Sequence, residues 1–402
     1  MEKNEISRTS VLDNKQTEQD FVTTTEQNSI DEKVEKKYIK KEKIRDISVD
    51  LIRVIACLIV IATHLTLTTY NVYEVQVDWS RLFTKCFLSD GVGIFFLITG
   101  FFISNGRSYK KILKNTVKNV ILPAFILLVF SDFFSKFIVN QDTFINCIKN
   151  ISSSNLKRIV SCICQGDVSD IQVAAHLWYI FAYIQIIILF PLIKLLCTDS
   201  KESKLARRLL MLLCFANILI RDIQKFFVLP IGNIEIFSLI DEKILAVFLG
   251  YELYLLKDKI KSNKKIGIIG FIIFIAINVI RYRAEMQYMI MNHIVKEEAF
   301  NSWKNTFGFI SAVSLFIAIY SINIKNQKLS KFITNISSLT YGIYLVHYML
   351  IAKIDIYKFE KISTFKFEML YMLLGTLFIF IVSGLIVYVI RIIKSLKNKI
   401  FE

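Results

Sequence analysis

Ten stretches in which apolar residues run almost unbroken alternate with short polar or charged connections along this chain. They cover residues 47–69, 88–105, 117–139, 176–196, 205–220, 236–256, 266–282, 305–324, 336–354 and 367–391. Windows of roughly 20 apolar residues are long enough to cross the hydrocarbon core of a bilayer as helices. Such a helix also satisfies its own backbone hydrogen bonds where no water is available. The pattern therefore predicts an all-α polytopic membrane protein with about ten transmembrane helices. The second and fifth stretches are short, and either could be tilted, broken or interfacial. Residues 1–46 are polar and contain no apolar run of the signal-peptide kind. They are read as a disordered cytoplasmic tail, residues 47–394 as one transmembrane domain, and residues 395–402 as a short basic cytoplasmic tail.

Composition supports that reading and narrows it. Of 402 residues, 54% are hydrophobic and 21% charged, with only 13 Gly and 3 Pro and a mean hydropathy of +0.49. That excludes a soluble domain, a collagen-like chain, a disulfide scaffold and a long disordered protein. The net charge of +16 would suggest nucleic acid in a soluble protein. In a membrane protein it marks cytoplasmic loops, and no nucleic-acid partner is expected. Basic runs such as GRSYKKILKNTVK, KESKLARR, KDKIKSNKK, KNQKLSK and RIIKSLKNK fall in alternate connections, which places both termini on the cytoplasmic side. The connection KIDIYKFEKISTFKF fits this alternation least well. The seven cysteines include no CxxC pair, and Cys57 and Cys214 lie inside apolar runs, so neither a disulfide framework nor a metal site is implied. Cys162 and Cys164 are the pair that could be oxidised outside. No internal repeat of the transporter kind is evident.

Titratable groups inside an apolar stretch are costly and mark function. The first stretch, DLIRVIACLIVIATHL, contains Asp50, Arg53 and His64. Arg53 and His64 are separated by about three helical turns, on nearly the same face and roughly 16 Å apart along the axis. Asp50 and Arg53, at i and i+3, can pair. Arg53 could equally snorkel to the inner headgroups, and His64 could bond to a neighbouring helix, but imidazole is the side chain suited to proton transfer near neutral pH. His176 and Trp178 open the fourth stretch, where an aromatic belt and a sugar platform are both open readings. His347 lies with Tyr344 at i and i+3 in the ninth, where an interhelical hydrogen bond is the structural alternative. His293 falls in a connection and reads as a surface histidine. Acids inside stretches are few: Asp132, and Asp241 with Glu242 and Lys243, which are expected to neutralise one another. No HExxH, GxSxG, Walker or Rossmann pattern is present.

DLIRVIACLIVIATHL resembles the first helix of the membrane acyltransferase 3 family, whose signature is Arg, ten residues, then His. GVGIFFLITGFFIS is similar to that family's second helix, the basic stretch leading to Pro123 to its third-helix entry, HLWYIFAYIQIIILFPLI to its fourth, and SSLTYGIYLVHYML to its penultimate helix. The resemblance runs from about Ile47 to Ile390, and LIRVIA with HLWYIFAYI is most similar to surface-polysaccharide O-acyltransferases. It implies transfer of an acyl group, usually acetyl from cytosolic acetyl-CoA, to a hydroxyl of an envelope glycan or lipid-linked sugar. The resemblance makes His64 and Arg53 the signature pair, with His64 as general base or transient acyl carrier and Asp50 steadying Arg53. Arg53 would bind the CoA pyrophosphate or orient an acid. Lys110, Lys111, Lys114 and Lys118 would form a phosphate funnel for CoA, or else a positive loop facing anionic lipid. His176, Trp178, Tyr344 and His347 would line the acceptor site. The expected location is a multi-pass position in a cell membrane, read as the bacterial plasma membrane. The rival readings are a transporter or flippase of a lipid-linked glycan or small solute, and a membrane module serving another catalytic domain.

Overall fold

The computed structural model describes residues 45–65, 70–71, 76–77, 79–104, 108–134, 157, 160–161, 172–227, 241–293, 299–353 and 365–400. The 1–44 tail, Cys162, Cys164 and most of the 353–367 connection lie outside these described residues.

Each of the ten apolar stretches is occupied by helix. In chain order the helices are α1 (Ile47–Leu65), α2 (Trp79–Leu88), α3 (Gly91–Phe101), α4 (Tyr109–Thr116), α5 (Leu122–Phe134), α6 (Trp178–Leu196), α7 (Lys201–Phe227), α8 (Glu242–Leu255), α9 (Lys257–Ser262), α10 (Lys264–Asn292), α11 (Thr306–Tyr320), α12 (Gln327–Lys353) and α13 (Phe365–Ile400). A two-residue antiparallel pair, Tyr70–Asn71 with Gln76–Val77, follows α1. Six helical segments among the described residues are long and apolar enough to cross a membrane: Ile47–Leu65, Leu82–Phe101, Tyr109–Phe130, Ala174–Leu196, Lys264–Asn292 and Leu370–Leu396. Helices α7, α8, α11 and α12 occupy the other four stretches but are shorter or more polar.

Several boundaries differ from the sequence reading for identifiable reasons. The second stretch begins earlier, at Trp79, and is broken between α2 and α3. The fifth grows to the 27 residues of α7, because its charges find partners described below. The basic end expected as a tail continues α13 through Ile400. Between α4 and α5 the chain makes a π-helical turn, Val117–Ile121, just before Pro123. Pro123 has no N–H to give, and the shifted register leaves carbonyls for other donors. One of these, the Val120 carbonyl, accepts a hydrogen bond from the Tyr341 hydroxyl at 2.7 Å.

Helix starts follow ordinary capping chemistry. Asp241 accepts from the backbone N–H groups of Lys243 and Ile244 at 2.9 and 3.2 Å to open α8. Asn305 accepts from Gly308 N–H at 2.7 Å to open α11. His293 ends α10 in the left-handed conformation, φ 54°.

Side chains at the contacts fix the packing. Along α1 and α12, Arg53 meets Ser337, Cys57 meets the Thr340 carbonyl, and His64 meets His347, so the two helices run in the same direction. Helices α10 and α11 run in opposite directions, with Gly270 near Ser314 and Ile317, and Asn278 bonded to Ser311. Helices α3 and α8 meet through Gly100 and Gly250. A Cβ on Gly100 would lie 1.9 Å from the Val247 carbonyl oxygen, and one on Gly250 would lie 2.0 Å from that of Leu97. Each glycine thus admits the partner's backbone, the device by which helices associate where lipid supplies no hydrophobic drive. The outer surfaces of α10 and α13 expose Ile268, Ile269, Ile272, Leu373, Leu377 and Phe378, as a lipid-facing wall requires.

Candidate functional site

Helix α1 carries one chemical group near each end, and α12 supplies the partner for both. At the start of α1 the Arg53 guanidinium donates to the Asp50 carboxylate at 2.9 Å and to the Ser337 hydroxyl at 3.1 Å. Ser337 in turn donates to the same Asp50 oxygen at 2.8 Å. Asp50 is buried while Arg53 is 28% exposed. The predicted i, i+3 pair therefore forms. Ser337 completes it, and the guanidinium is held at the edge of the helix bundle.

At the far end of α1, His64 faces His347 with ring centroids 5.5 Å apart and Tyr348 at 4.9 Å. His176 joins from the 3₁₀ turn Gln172–Leu177 that precedes α6. Its ring is 5.0 Å from His347, 5.2 Å from Tyr344 and stacked on Tyr348 at 5.1 Å. Three of the chain's four histidines, from three distant stretches, thus share one cluster. The fourth, His293, is the helix terminator described above.

The polar atoms of this cluster are unequally used. His347 Nδ1 lies 2.7 Å from the Tyr344 carbonyl. A carbonyl only accepts, so Nδ1 carries the proton and neutral His347 presents Nε2 as a bare acceptor. That Nε2 is buried with no hydrogen-bond partner among the described residues, as are both ring nitrogens of His176. The Tyr344 hydroxyl donates to the His176 carbonyl and so pins the 3₁₀ turn to α12. No interhelical bond to His347 is found among the described residues; its bond to the Tyr344 carbonyl lies within α12. No three metal-ligating side chains among the described residues are spaced to hold a metal ion.

Aromatic rings lead from this cluster toward the Arg53 end. Tyr344 lies 5.7 Å from Tyr179, which lies 6.4 Å from Tyr183. Phe96 packs 5.0 Å from Tyr179 and 5.2 Å from Trp303. Trp178 is half-buried, with the Lys304 ammonium 5.7 Å from its ring.

The remaining sequence candidates lie elsewhere. Lys110, Lys111, Lys114 and Lys118 are exposed on α4 and the π turn. Asp241 pairs with Lys243 at 2.8 Å, but Glu242 pairs with Arg221 instead, at 2.8 Å, so the expected mutual neutralisation holds only for the first two. Asp132 falls in α5, and nothing further is described of its side chain.

Sequence reasoning missed a second buried polar group. Arg281 is fully buried and pairs with Asp90 at 3.1 Å. It also donates to the carbonyls of Phe300 and Cys86 at 2.8 and 2.9 Å. Glu285 accepts from Ala299 N–H at 2.7 Å and from Phe300 N–H. These bonds tie the 299–305 segment, and with it Trp303, to α10 and α2. Ser337 and Tyr348 were also overlooked. Ser337 precedes His347 by ten residues, nearly the Arg53–His64 spacing, and that match was a legible signal.

The helices and their buried imidazole cluster define a multi-pass membrane protein with ionisable groups gathered inside its bundle. A family profile for the acyltransferase domain matches residues 46–390. The chain belongs to the acyltransferase 3 family and is a membrane acyltransferase. Comparison with curated proteins and with solved structures returns no match.

Proposed function

We propose that this acyltransferase moves an acetyl group from cytosolic acetyl-CoA to a hydroxyl of an envelope or surface polysaccharide, working in the bacterial plasma membrane. The observation that carries the reading is the two-ended arrangement of α1. A cation braced by Asp50 and Ser337 stands at one end, and a half-exposed His64 backed by buried imidazoles stands at the other. A sugar hydroxyl is a weak nucleophile, and a neutral imidazole within hydrogen-bond reach removes its proton as oxygen attacks the thioester carbonyl. His64 takes that role in preference to carrying the acyl group itself, since its neighbours are suited to holding a ring in one tautomer. Arg53 binds the CoA phosphates. The exposed lysines of α4 draw the anionic donor toward the membrane face, and His176, Trp178, Tyr344 and His347 shape the acceptor side.

The test compares envelope glycans by mass spectrometry from cells carrying the wild-type chain, His64→Ala or Arg53→Ala. Loss of one acetyl increment in both variants, with protein levels maintained, is expected. Intact acetylation in both would refute the assignment. Binding of acetyl-CoA to the purified protein separates this reading from a transporter, which has no use for the thioester.

A further inference from the structure

We propose that His347 is a positioning residue for His64: its Nε2 accepts the one N–H of the His64 ring and so leaves the opposite His64 nitrogen as a bare lone pair aimed at the acceptor hydroxyl. This rests on the acyl-transfer reading above.

Four observations converge on it. The bond from His347 Nδ1–H to the Tyr344 carbonyl, 2.7 Å, fixes which nitrogen of His347 is the acceptor. That acceptor is sealed from solvent and unmatched among the described residues, which is unfavourable unless a donor is intended for it. Two rings stand close enough to offer it a donor, His176 at 5.0 Å and His64 at 5.5 Å. His64 lies with its ring centroid 5.5 Å away, a separation at which ring rotation alone brings a nitrogen of one within hydrogen-bond reach of the other. Unlike fully buried His176, His64 also keeps partial exposure, so a nitrogen remains for substrate. The logic is that of any general base whose second nitrogen is held by a fixed acceptor, here an imidazole in place of a carboxylate.

The step balances. The acceptor O–H proton moves to the bare nitrogen of His64 while the oxygen bonds to the thioester carbonyl carbon. The C–S bond breaks and CoA leaves as a thiolate. The same proton then passes from His64 to the sulfur, which restores neutral imidazole and releases CoA thiol. His347 exchanges no proton and steadies the transient imidazolium of His64.

The experiment uses membrane vesicles bearing the full chain, radiolabelled acetyl-CoA as donor and the vesicles' own glycan as acceptor. His347→Phe keeps ring volume but removes the acceptor. Its saturated rate is expected to fall about 100-fold with KM for acetyl-CoA unchanged. His347→Gln places an amide oxygen near the lost Nε2 and is expected to recover most of that rate. Full rate in the Phe variant, a loss confined to KM, or a Gln variant no better than Phe would each overturn the proposal. Should the Phe variant fail to fold, nitrogen NMR of histidine-labelled wild-type protein decides. His347 protonated at Nδ1 and bonded through Nε2 to His64 supports the proposal, and protonation at Nε2 overturns it. Absence of labelled glycan with the wild-type chain would instead defeat the acyl-transfer reading itself.

Discussion

A fully buried arginine in a membrane helix is tolerable only when its charge and its donors are matched. Arg281 has its charge matched by Asp90 and its Nε and Nη1 donors taken by Phe300, Cys86 and Asp90, while Nη2 has no partner among the described residues. Removing the cation alone leaves Asp90 as an uncompensated buried carboxylate, and breaking such a pair costs about 3–5 kcal/mol. Replacing both partners with apolar residues of similar size is often close to neutral. Arg281→Met is therefore expected to lower the thermal midpoint of the detergent-purified protein markedly. The double variant Arg281→Met with Asp90→Leu should recover much of the loss. Equal destabilisation by the single and double variants would show that the hydrogen bonds to the 299–305 segment, rather than the ion pair, hold this region. The same contrast bears on function, because that segment carries Trp303 against Phe96 and hence against Tyr179.

Between elements, glycine brings backbone against backbone where α3 meets α8. A Cβ at Gly100 or Gly250 would meet backbone oxygen, which no rotamer change can move aside. Gly100→Ala must push the helices apart and is expected to cost about 1–3 kcal/mol, read as a drop in thermal midpoint. An unchanged midpoint would mean that the helices shift at no cost. This contact was only partly legible beforehand. The apolar runs marked ten stretches that are all occupied by helix, six of them long and apolar enough to cross a membrane, since each must cover its own backbone. They could not say that Gly100 faces Val247 and Gly250 faces Leu97, because pairing depends on which helices become neighbours. Helix α7 was read short for a related reason. Arg221 bounded the apolar run, yet that side chain pairs with Glu242 at 2.8 Å and donates to the Lys304 carbonyl, while Arg207 inside the run is buried against Glu252 at 2.7 Å. The Asp50–Arg53 pair was legible because it is local to one turn. The meeting of His64, His176 and His347 was not, because three separate helical segments must be assembled before those rings touch.

At the scale of the whole molecule, helix directions constrain the path through the bilayer. Helices α1 and α12 run in the same direction along their shared face. Helix α12 runs opposite to α13, with Ser338 near Arg391 and Gly342 near Val387. Two membrane helices point the same way only when an odd number of crossings separates them, and seven apolar stretches lie between α1 and α12. If α7, α8, α11 and α12 all cross despite their length or polarity, that parity is met and the ten crossings put both ends of the bundle on one side. The basic runs KNQKLSK at the start of α12 and RIIKSLKNK in the last turns of α13 are of the kind that stays in the cytoplasm, which makes it the expected side. Fluorescent protein fused after residue 402 is then expected to fluoresce, and alkaline phosphatase at the same point to be inactive. Alkaline phosphatase inserted after His293, in the connection between α10 and α11, should be active. An active phosphatase at the C-terminus would place the ends on opposite faces. Because parallel α1 and α12 need an odd number of crossings between them, the helix that does not cross would then be α12, which is not among the six long and apolar enough to do so.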